Sequence, residues 1–287
     1  MKLTAIMPAR NEAWVLGLSL RAVALWVDEV VVLNHASTDR TADICREVAD
    51  ETGKVHVIDE ADGVWREMAH RQRLLTEARS RGATHIALVD ADEVLTGNLV
   101  LNIRDHIAKL PPGSVLQTAM ACMWRSMDNY REDGSVWSMT TQTSCSLGFC
   151  DAPQLRWEAQ QGYDHHHRHP IGSRVNVRVP PAFGGVMHLQ FANWRRLRAK
   201  HALYKMTERV RWPQKRVADI DQMYNMALDE TRLRLVHAPD AWWDPYRQWT
   251  KHVDFASEPW HEAECARLWA EHGREMFRGL NLFGVVQ

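Results

Sequence analysis

Along the first hundred or so residues, short apolar runs alternate with longer segments whose apolar residues recur at helical spacing. Leu3–Met7, the β-branched run Glu29–Leu33, Val55–Ile58 and His85–Val89 read as strands. Between them, Glu12–Trp26, the segment from Ser37-Thr38-Asp39 to Asp50, and Val64–Arg81 read as helices. The second of these has hydroxyl and carboxylate groups at hand to cap its free N–H groups. Strand and helix alternating at this spacing predict β-α-β units and a mainly parallel sheet. In such sheets the ligand sits at the carboxyl ends of the strands. Those ends carry Pro8-Ala9-Arg10-Asn11-Glu12, Asn34-His35-Ala36-Ser37 and Asp90-Ala91-Asp92, so polar chemistry gathers on one edge.

After Pro111-Pro112-Gly113 the rhythm changes. Val115–Trp124 and Val136–Phe149 read as strands with no helix between them, followed by a polar loop containing Asp164-His165-His166-His167-Arg168-His169-Pro170. Val186–Phe191 reads as a short strand and Asn193–Val210 as a strongly basic helix; the remainder reads as helical apart from Arg232–His237. The change divides the chain into a β-α-β half, 1–112, and a mixed half, 113–287.

Composition narrows the classes. The net charge is -1, so no overall polycation calls for nucleic acid or membrane. No run of about 18 apolar residues is present to span a bilayer, and the N-terminus turns polar too early for a signal peptide. Five cysteines, odd in number and without a C-x-x-C pair, read as reduced core residues of a cytoplasmic protein. Thirteen tryptophans, dense after Trp124, offer core volume and some flat faces for a sugar ring or a base.

Asp90-x-Asp92 at a strand end is the central motif. Paired carboxylates in a loop suit a hard divalent cation, and a donor diphosphate would add further oxygens. With Met7–Glu12, Asp28–Thr41 and Ala87–Glu93 in this order and at these separations, the chain resembles the family 2 nucleotide-sugar glycosyltransferases. The resemblance covers roughly the first hundred residues and becomes diffuse beyond Leu95.

The resemblance implies an α/β fold of GT-A type: a Rossmann-like, mainly parallel sheet with flanking helices and a mixed α+β acceptor region. It assigns donor binding to 1–112, and acceptor binding and completion of the metal site to 113–287. The implied activity is metal-dependent hexosyl or pentosyl transfer from a nucleotide-sugar donor, with inversion, using Mn2+ or Mg2+. Pro8, Arg10 and Glu12 would line the nucleoside pocket, Asp39 would cap its helix and fix the base-binding loop, and Arg71 would stand near the diphosphate. Asp90 would face ribose and metal, and Asp92 would be the principal metal ligand. One departure counts against a uridine donor. Many relatives have Asp-Asp-Gly-Ser-Thr-Asp where this chain has Asn34-His35-Ala36-Ser37-Thr38-Asp39, although Asn34 can still hydrogen-bond a base.

His188, after Gly184-Gly185, resembles the late histidine that many GT-A enzymes place on the metal; the plainer reading is a satisfied core histidine. The run His165–His169 is poor ligand geometry because adjacent side chains diverge, and it reads as a polar loop near the acceptor. An inverting transfer needs a carboxylate to deprotonate the acceptor. Asp164 and Glu158 are the candidates, each equally readable as an exposed loop acid.

From 195 to 216, Arg195, Arg196, Arg198, Lys200, Lys205, Arg209, Arg211, Lys215 and Arg216 face the single acid Glu208. This reads as a solvated face, as diphosphate contact by Arg195 or Lys200, or as a surface for a nucleic acid or anionic lipid acceptor. The candidate functions, in order, begin with a glycosyltransferase for a saccharide, lipid-linked or small-molecule acceptor. Next come a transferase that modifies a hydroxylated base in DNA, a nucleotide-binding module without catalysis, and a nucleotidyltransferase. The last usually carries a Gly-rich phosphate loop, absent near this N-terminus.

Overall fold

The computed structural model describes residues 1–158, 168–225 and 228–286. The elements begin with β1 (Leu3–Ala9), α1 (Ala13–Ala24), β2 (Glu29–His35), α2 (Thr41–Thr52), β3 (Val55–Glu60), α3 (Glu67–Ser80) and β4 (His85–Leu88). Next come β5 (Glu93–Leu95), α4 (Gly97–Val100), α5 (Ile103–Ala108), β6 (Ser114–Cys122), β7 (Asn129–Arg131), β8 (Cys145–Cys150), β9 (Arg174–Arg178) and β10 (Gly185–His188). The chain continues through α6 (Trp194–Arg211), α7 (Val217–Asn225), β11 (Leu235–His237), α8 (Asp240–Trp243) and α9 (Trp260–Met276).

Among the described residues, nine strands form one sheet in the order β3-β2-β1-β4-β8-β6-β10-β5, with β9 beside β6. The first four are mutually parallel, β8 runs opposite to both β4 and β6, and β5 runs opposite to β10. This is a mainly parallel α/β sheet with flanking helices, the GT-A type.

Side-chain alternation explains the layers. Leu3, Ala5, Met7, Val30 and Val32 pack with Leu16, Leu20 and Val23 of α1 and Ile44, Cys45 and Val48 of α2. Ile6, Val31, Leu33, Ile86 and Leu88 face the other way, onto Met68, Leu74 and Leu75 of α3. Both faces are covered, which is why these strands are nearly continuous apolar runs. Each Val or Leu so buried contributes about 1.5–3 kcal/mol. The five cysteines are free and buried. Among the described residues no helix is long and apolar enough to cross a membrane.

The structure adds the short elements β5, β7, β9, α4 and α5 to the sequence pattern and shortens others. Of Val136–Phe149, only Cys145 onward is strand. Asp133 accepts from Ser135 N–H and Ser138 Oγ, and its own N–H donates to Ser138 Oγ; this acid-centred turn outcompetes a ladder. The strand expected over Val186–Phe191 stops at His188 and tightens into a 3-10 turn over Leu189–Phe191. Arg232–His237 shortens to β11, paired with β7.

The sheet continues through residue 112 without a break, since β8 pairs with β4, β10 pairs with β5, and β6 lies between β8 and β10. β10 pairs with β5 so that His188 lies opposite Glu93. Its approach depends on Gly184, at φ 108, and on Gly185, where an added Cβ would lie 2.4 Å from the Ala119 carbonyl oxygen.

Candidate active site

The loops after β1 and β2 are laced together. Asn11 sits at φ 51, uncommon for a residue with a Cβ. From there its Oδ1 accepts from Thr38 N–H (2.7 Å) and Asp39 N–H (3.3 Å), while its own N–H donates to Ser37 Oγ at 3.0 Å. Glu12 N–H donates to Thr41 Oγ1 at 2.9 Å. Asp39 accepts from Thr41 N–H at the start of α2 and from Ala13 N–H at the start of α1. It therefore ties the start of α1 to the start of α2.

Beside this lacing, Pro8 lies on β1 in register with Leu33. Arg10 donates to the Gly63 carbonyl, and its guanidinium stands 4.8 Å from the Trp260 ring. Asn34 Nδ2 donates to Asp59 Oδ1 at 2.7 Å. Asp59 is the register partner of Asn34 on β3, so a carboxylate missing from β2 stands one strand away. His35, His70 and Trp65 form an aromatic cluster with ring centroids 4.4–5.5 Å apart. Burial, and then neighbouring His35, push the His70 pKa down to about 4.

The carboxylates follow β4. Asp92 Oδ1 lies 3.5 Å from His188 Nε2, and Oδ2 lies 3.6 Å from Lys200 Nζ. Lys200 is steadied by Gln190 Oε1 at 2.9 Å. Asp90 lies 3.5 Å from Arg71 Nη2 and 3.7 Å from Arg168 Nη1. Arg168 makes its principal contact with both oxygens of Glu93 and donates to the Leu88 carbonyl at 2.7 Å. Behind the turn, Ser19 Oγ of α1 donates to the Ala91 carbonyl, and Leu189 N–H donates to the Asp92 carbonyl at 2.8 Å.

Burial opposes ionisation of Asp92, yet Lys200 and His188 outweigh it and hold the carboxyl well below the usual carboxylate range. Asp90, half-buried, is likewise held low, by Arg168 and Arg71. Burial opposes the charge on Lys200, which Tyr204, Asp92 and Glu12 restore and raise above the ordinary lysine range. Glu12 is pushed up by burial more than Arg196 pulls it down. It accepts from Trp14 Nε1 at 2.7 Å and lies 3.5 Å from Arg196, which also donates to the Asn11 carbonyl. An ion pair near 3.6 Å at an effective dielectric of about 20 carries on the order of 4 kcal/mol of attraction before desolvation is charged against it.

Each acid of the centre thus has a cation beside it, but the hydrogen bonds are incomplete. Among the described residues Asp90 Oδ1, Arg71 Nη1 and Arg168 Nε are buried without a hydrogen-bond partner. Each such group costs about 1–3 kcal/mol until a partner arrives. Among the described residues no three His, Cys, Asp or Glu side chains gather to hold an ion. An ion there would need oxygens from its ligand, as is usual where Mg2+ meets phosphates.

The other expected residues fall elsewhere. Arg195 is turned outward onto Glu262, at 2.8 and 2.6 Å, so Lys200 rather than Arg195 reaches the carboxylates. Glu158 is exposed and paired with Arg156. Asp164 and His165, His166 and His167 lie outside the described residues, while His169 meets Ser146 Oγ at 3.0 Å. A hollow of about 590 Å³ lies between α3 and Trp157, lined by Gln72 and Arg73, and is not the place of the carboxylates. The basic helix is engaged internally: Lys205 with Asp221, Arg209 with the Met276 carbonyl, Arg211 with the Trp65 carbonyl, Lys215 with Glu208, and Arg216 with Asp219. Arg168, Glu93 and Arg196 join the site without having been singled out for it in the sequence. The only sign of Glu93 was the third acid in Asp90-Ala91-Asp92-Glu93.

Comparison with known proteins gives the following. Residues 4–159 match the family model described as Glycosyl transferase family 2. No curated protein matches. Among solved structures, S. aureus TarS 1-349 in complex with UDP-GlcNAc is 22% identical, covers 42% of this chain and 35% of its own, and has a TM-score of 0.37. The mannosyltransferase PcManGT from Pyrobaculum calidifontis in complex with GDP-Man and Mn2+ is 16% identical, covers 94% of this chain and 74% of its own, and has a TM-score of 0.42. A 4-diphosphocytidyl-2C-methyl-D-erythritol synthase is 16% identical, covering 52% and 75%, with a TM-score of 0.32. The chain therefore spans about a third of the TarS fragment it matches. The family model covers more than half of the chain, carries the loops and carboxylates described above, and makes this protein a member of glycosyl transferase family 2.

Proposed function

We propose that this glycosyltransferase takes its sugar from a nucleoside-diphosphate donor lying along the carboxyl edge of β1, β2 and β4, with Mn2+ or Mg2+ held by Asp92, His188 and the donor's own phosphate oxygens, and Asp90 facing the ribose and the ion. The observation that carries the reading is the approach of Asp92 Oδ1 and His188 Nε2 to 3.5 Å, longer than a good hydrogen bond and close enough for both to reach one ion. Asp90 Oδ1, which accepts no hydrogen bond although Arg71 stands 3.5 Å away, supports it, since the donor set is hard oxygen and imidazole nitrogen. Once bound, such an ion offsets the charge that builds on the departing diphosphate.

In this reading Arg71 and Lys200 hold the phosphate oxygens with fixed positive charge. Arg10, Pro8, Asn34 and Asp59 line the nucleoside side, with Trp65 as a stacking face, while Glu12 and Asp39 hold the loops that shape it. A carboxylate must accept the proton of the acceptor hydroxyl as the sugar inverts. Glu158 is engaged by Arg156 at the surface, which leaves Asp164 as the base to test. The acceptor is a saccharide, lipid-linked or small-molecule hydroxyl. The internal pairing of the basic helix weighs against DNA. A reading as a binding module without catalysis is weakened by Asp59, which supplies beside Asn34 the carboxylate that β2 lacks.

A thermal-shift screen of nucleoside diphosphates and nucleotide sugars with manganese tests the reading. A true donor raises the melting temperature by mass action and is hydrolysed slowly without acceptor. No shift with any donor, in the presence of manganese, would sink it.

A further inference from the structure

We propose that Lys200 is a built-in counter-ion that keeps a bare dication off Asp92, so that metal enters only together with a diphosphate. The inference rests on the reading of Asp92 and His188 as ligands for an ion. Each acid here already has a cation beside it: Lys200 stands at Asp92, Arg168 at Glu93 and Asp90, and Arg71 is shared between Asp90 and Glu67. A bare dication would leave its charge uncompensated in a buried site, where such charge is costly. A metal–diphosphate pair arrives close to neutral, and its phosphate oxygens give Lys200 a new partner as the ion takes Asp92.

The position of Lys200 is specified rather than incidental. Gln190 Oε1 accepts from its ammonium at 2.9 Å, and Gln190 belongs to the turn immediately after His188. The group that competes with the ion is therefore anchored two residues from the imidazole that would ligate it. Lys200 Nζ lies 3.6 Å from Asp92 Oδ2, on the oxygen opposite the one His188 approaches. Arg71 and Arg168 flank Asp90 instead, so neither substitutes for Lys200 at Asp92.

The test titrates Mn2+ alone into the wild-type chain, Lys200→Met and Lys200→Arg, by calorimetry and by the Mn2+ electron paramagnetic resonance signal. It is then repeated with inorganic pyrophosphate present, with circular dichroism melts as a check on folding. Lys200→Met should bind bare Mn2+ at least about tenfold more tightly than wild type and Mn2+ with pyrophosphate about tenfold more weakly, while Lys200→Arg resembles wild type. If Lys200→Met does not fold, Lys200→Gln stands in with the same expected signs. Equal or weaker binding of bare Mn2+ by the variant, with Mn2+–pyrophosphate still bound by both proteins, overturns the counter-ion role and leaves the metal site standing. Failure of every protein to hold Mn2+ even with pyrophosphate overturns the metal reading and this inference together.

Discussion

Asp92 stands between an imidazole and an ammonium at 3.5 and 3.6 Å, distances at which charge rather than hydrogen bonding dominates. Asp92→Asn keeps the shape and removes the charge. We expect metal-dependent turnover to fall by roughly 10²–10³-fold, with the circular dichroism spectrum unchanged; undiminished turnover would defeat the assignment. Arg71 is held by Glu67 at 3.0 Å yet keeps Nη1 unpartnered. Arg71→Ala should weaken donor binding by about 1.5–3 kcal/mol with little change in acceptor affinity, and calorimetry with each ligand checks it. At this scale Asp90 and Asp92 are legible in the sequence because acids directly after an apolar strand must emerge at a sheet edge. Arg168 and Arg196 are not. A cation inside a polar or basic run carries no local sign of which way it turns, and only the placement of α6 brings Arg196 to the Asn11 carbonyl.

Among the elements, β10 is closely hemmed in. A side chain at 185 would meet the Ala119 carbonyl, and β10 carries His188 at its end. Gly185→Ala should cost roughly 1–3 kcal/mol of stability by overpacking and lower donor-dependent turnover as His188 moves. A denaturant melt beside an activity assay reads both, and an unchanged melt would show that β10 yields freely. The four parallel strands and the helices α1 to α3 are legible because their apolar runs and helical spacing are written in the local sequence. The insertion of β8 between β4 and β6, and the three-residue strand β5, are not. Each depends on pairing with residues far along the chain, and β5 is too short to display a period.

Over the whole molecule, acid should act in two stages. His70 is held neutral, its pKa lowered to about 4 by burial and His35, and burial also lowers His35 and His261. The unfolded chain takes up those protons as pH falls through about 6.5. The folded chain resists until near 4 at His70, so the unfolded state holds more protons in between and stability falls with falling pH. Asp90 and Asp92, held low, lose their contribution only in stronger acid. Melts across pH 8 to 4 should therefore begin to drop by several degrees below roughly 6.5, and His70→Gln should blunt that first drop; a flat profile to pH 4 would contradict the buried neutral histidines.

The helix α6 joins places far apart in sequence, with Arg196 at the first loop, Lys200 at the carboxylates and Arg211 at the Trp65 carbonyl. A fragment cut after residue 159, the stretch that carries the family signature, would keep Glu12, Asp90, Asp92 and Glu93 crowded on one rim. It would lose Arg168, His188, Arg196 and Lys200, and the rim would repel itself. The recognisable part of this chain is thus electrostatically unfinished, with Arg71 left at Asp90, and the tail supplies most of the countercharge.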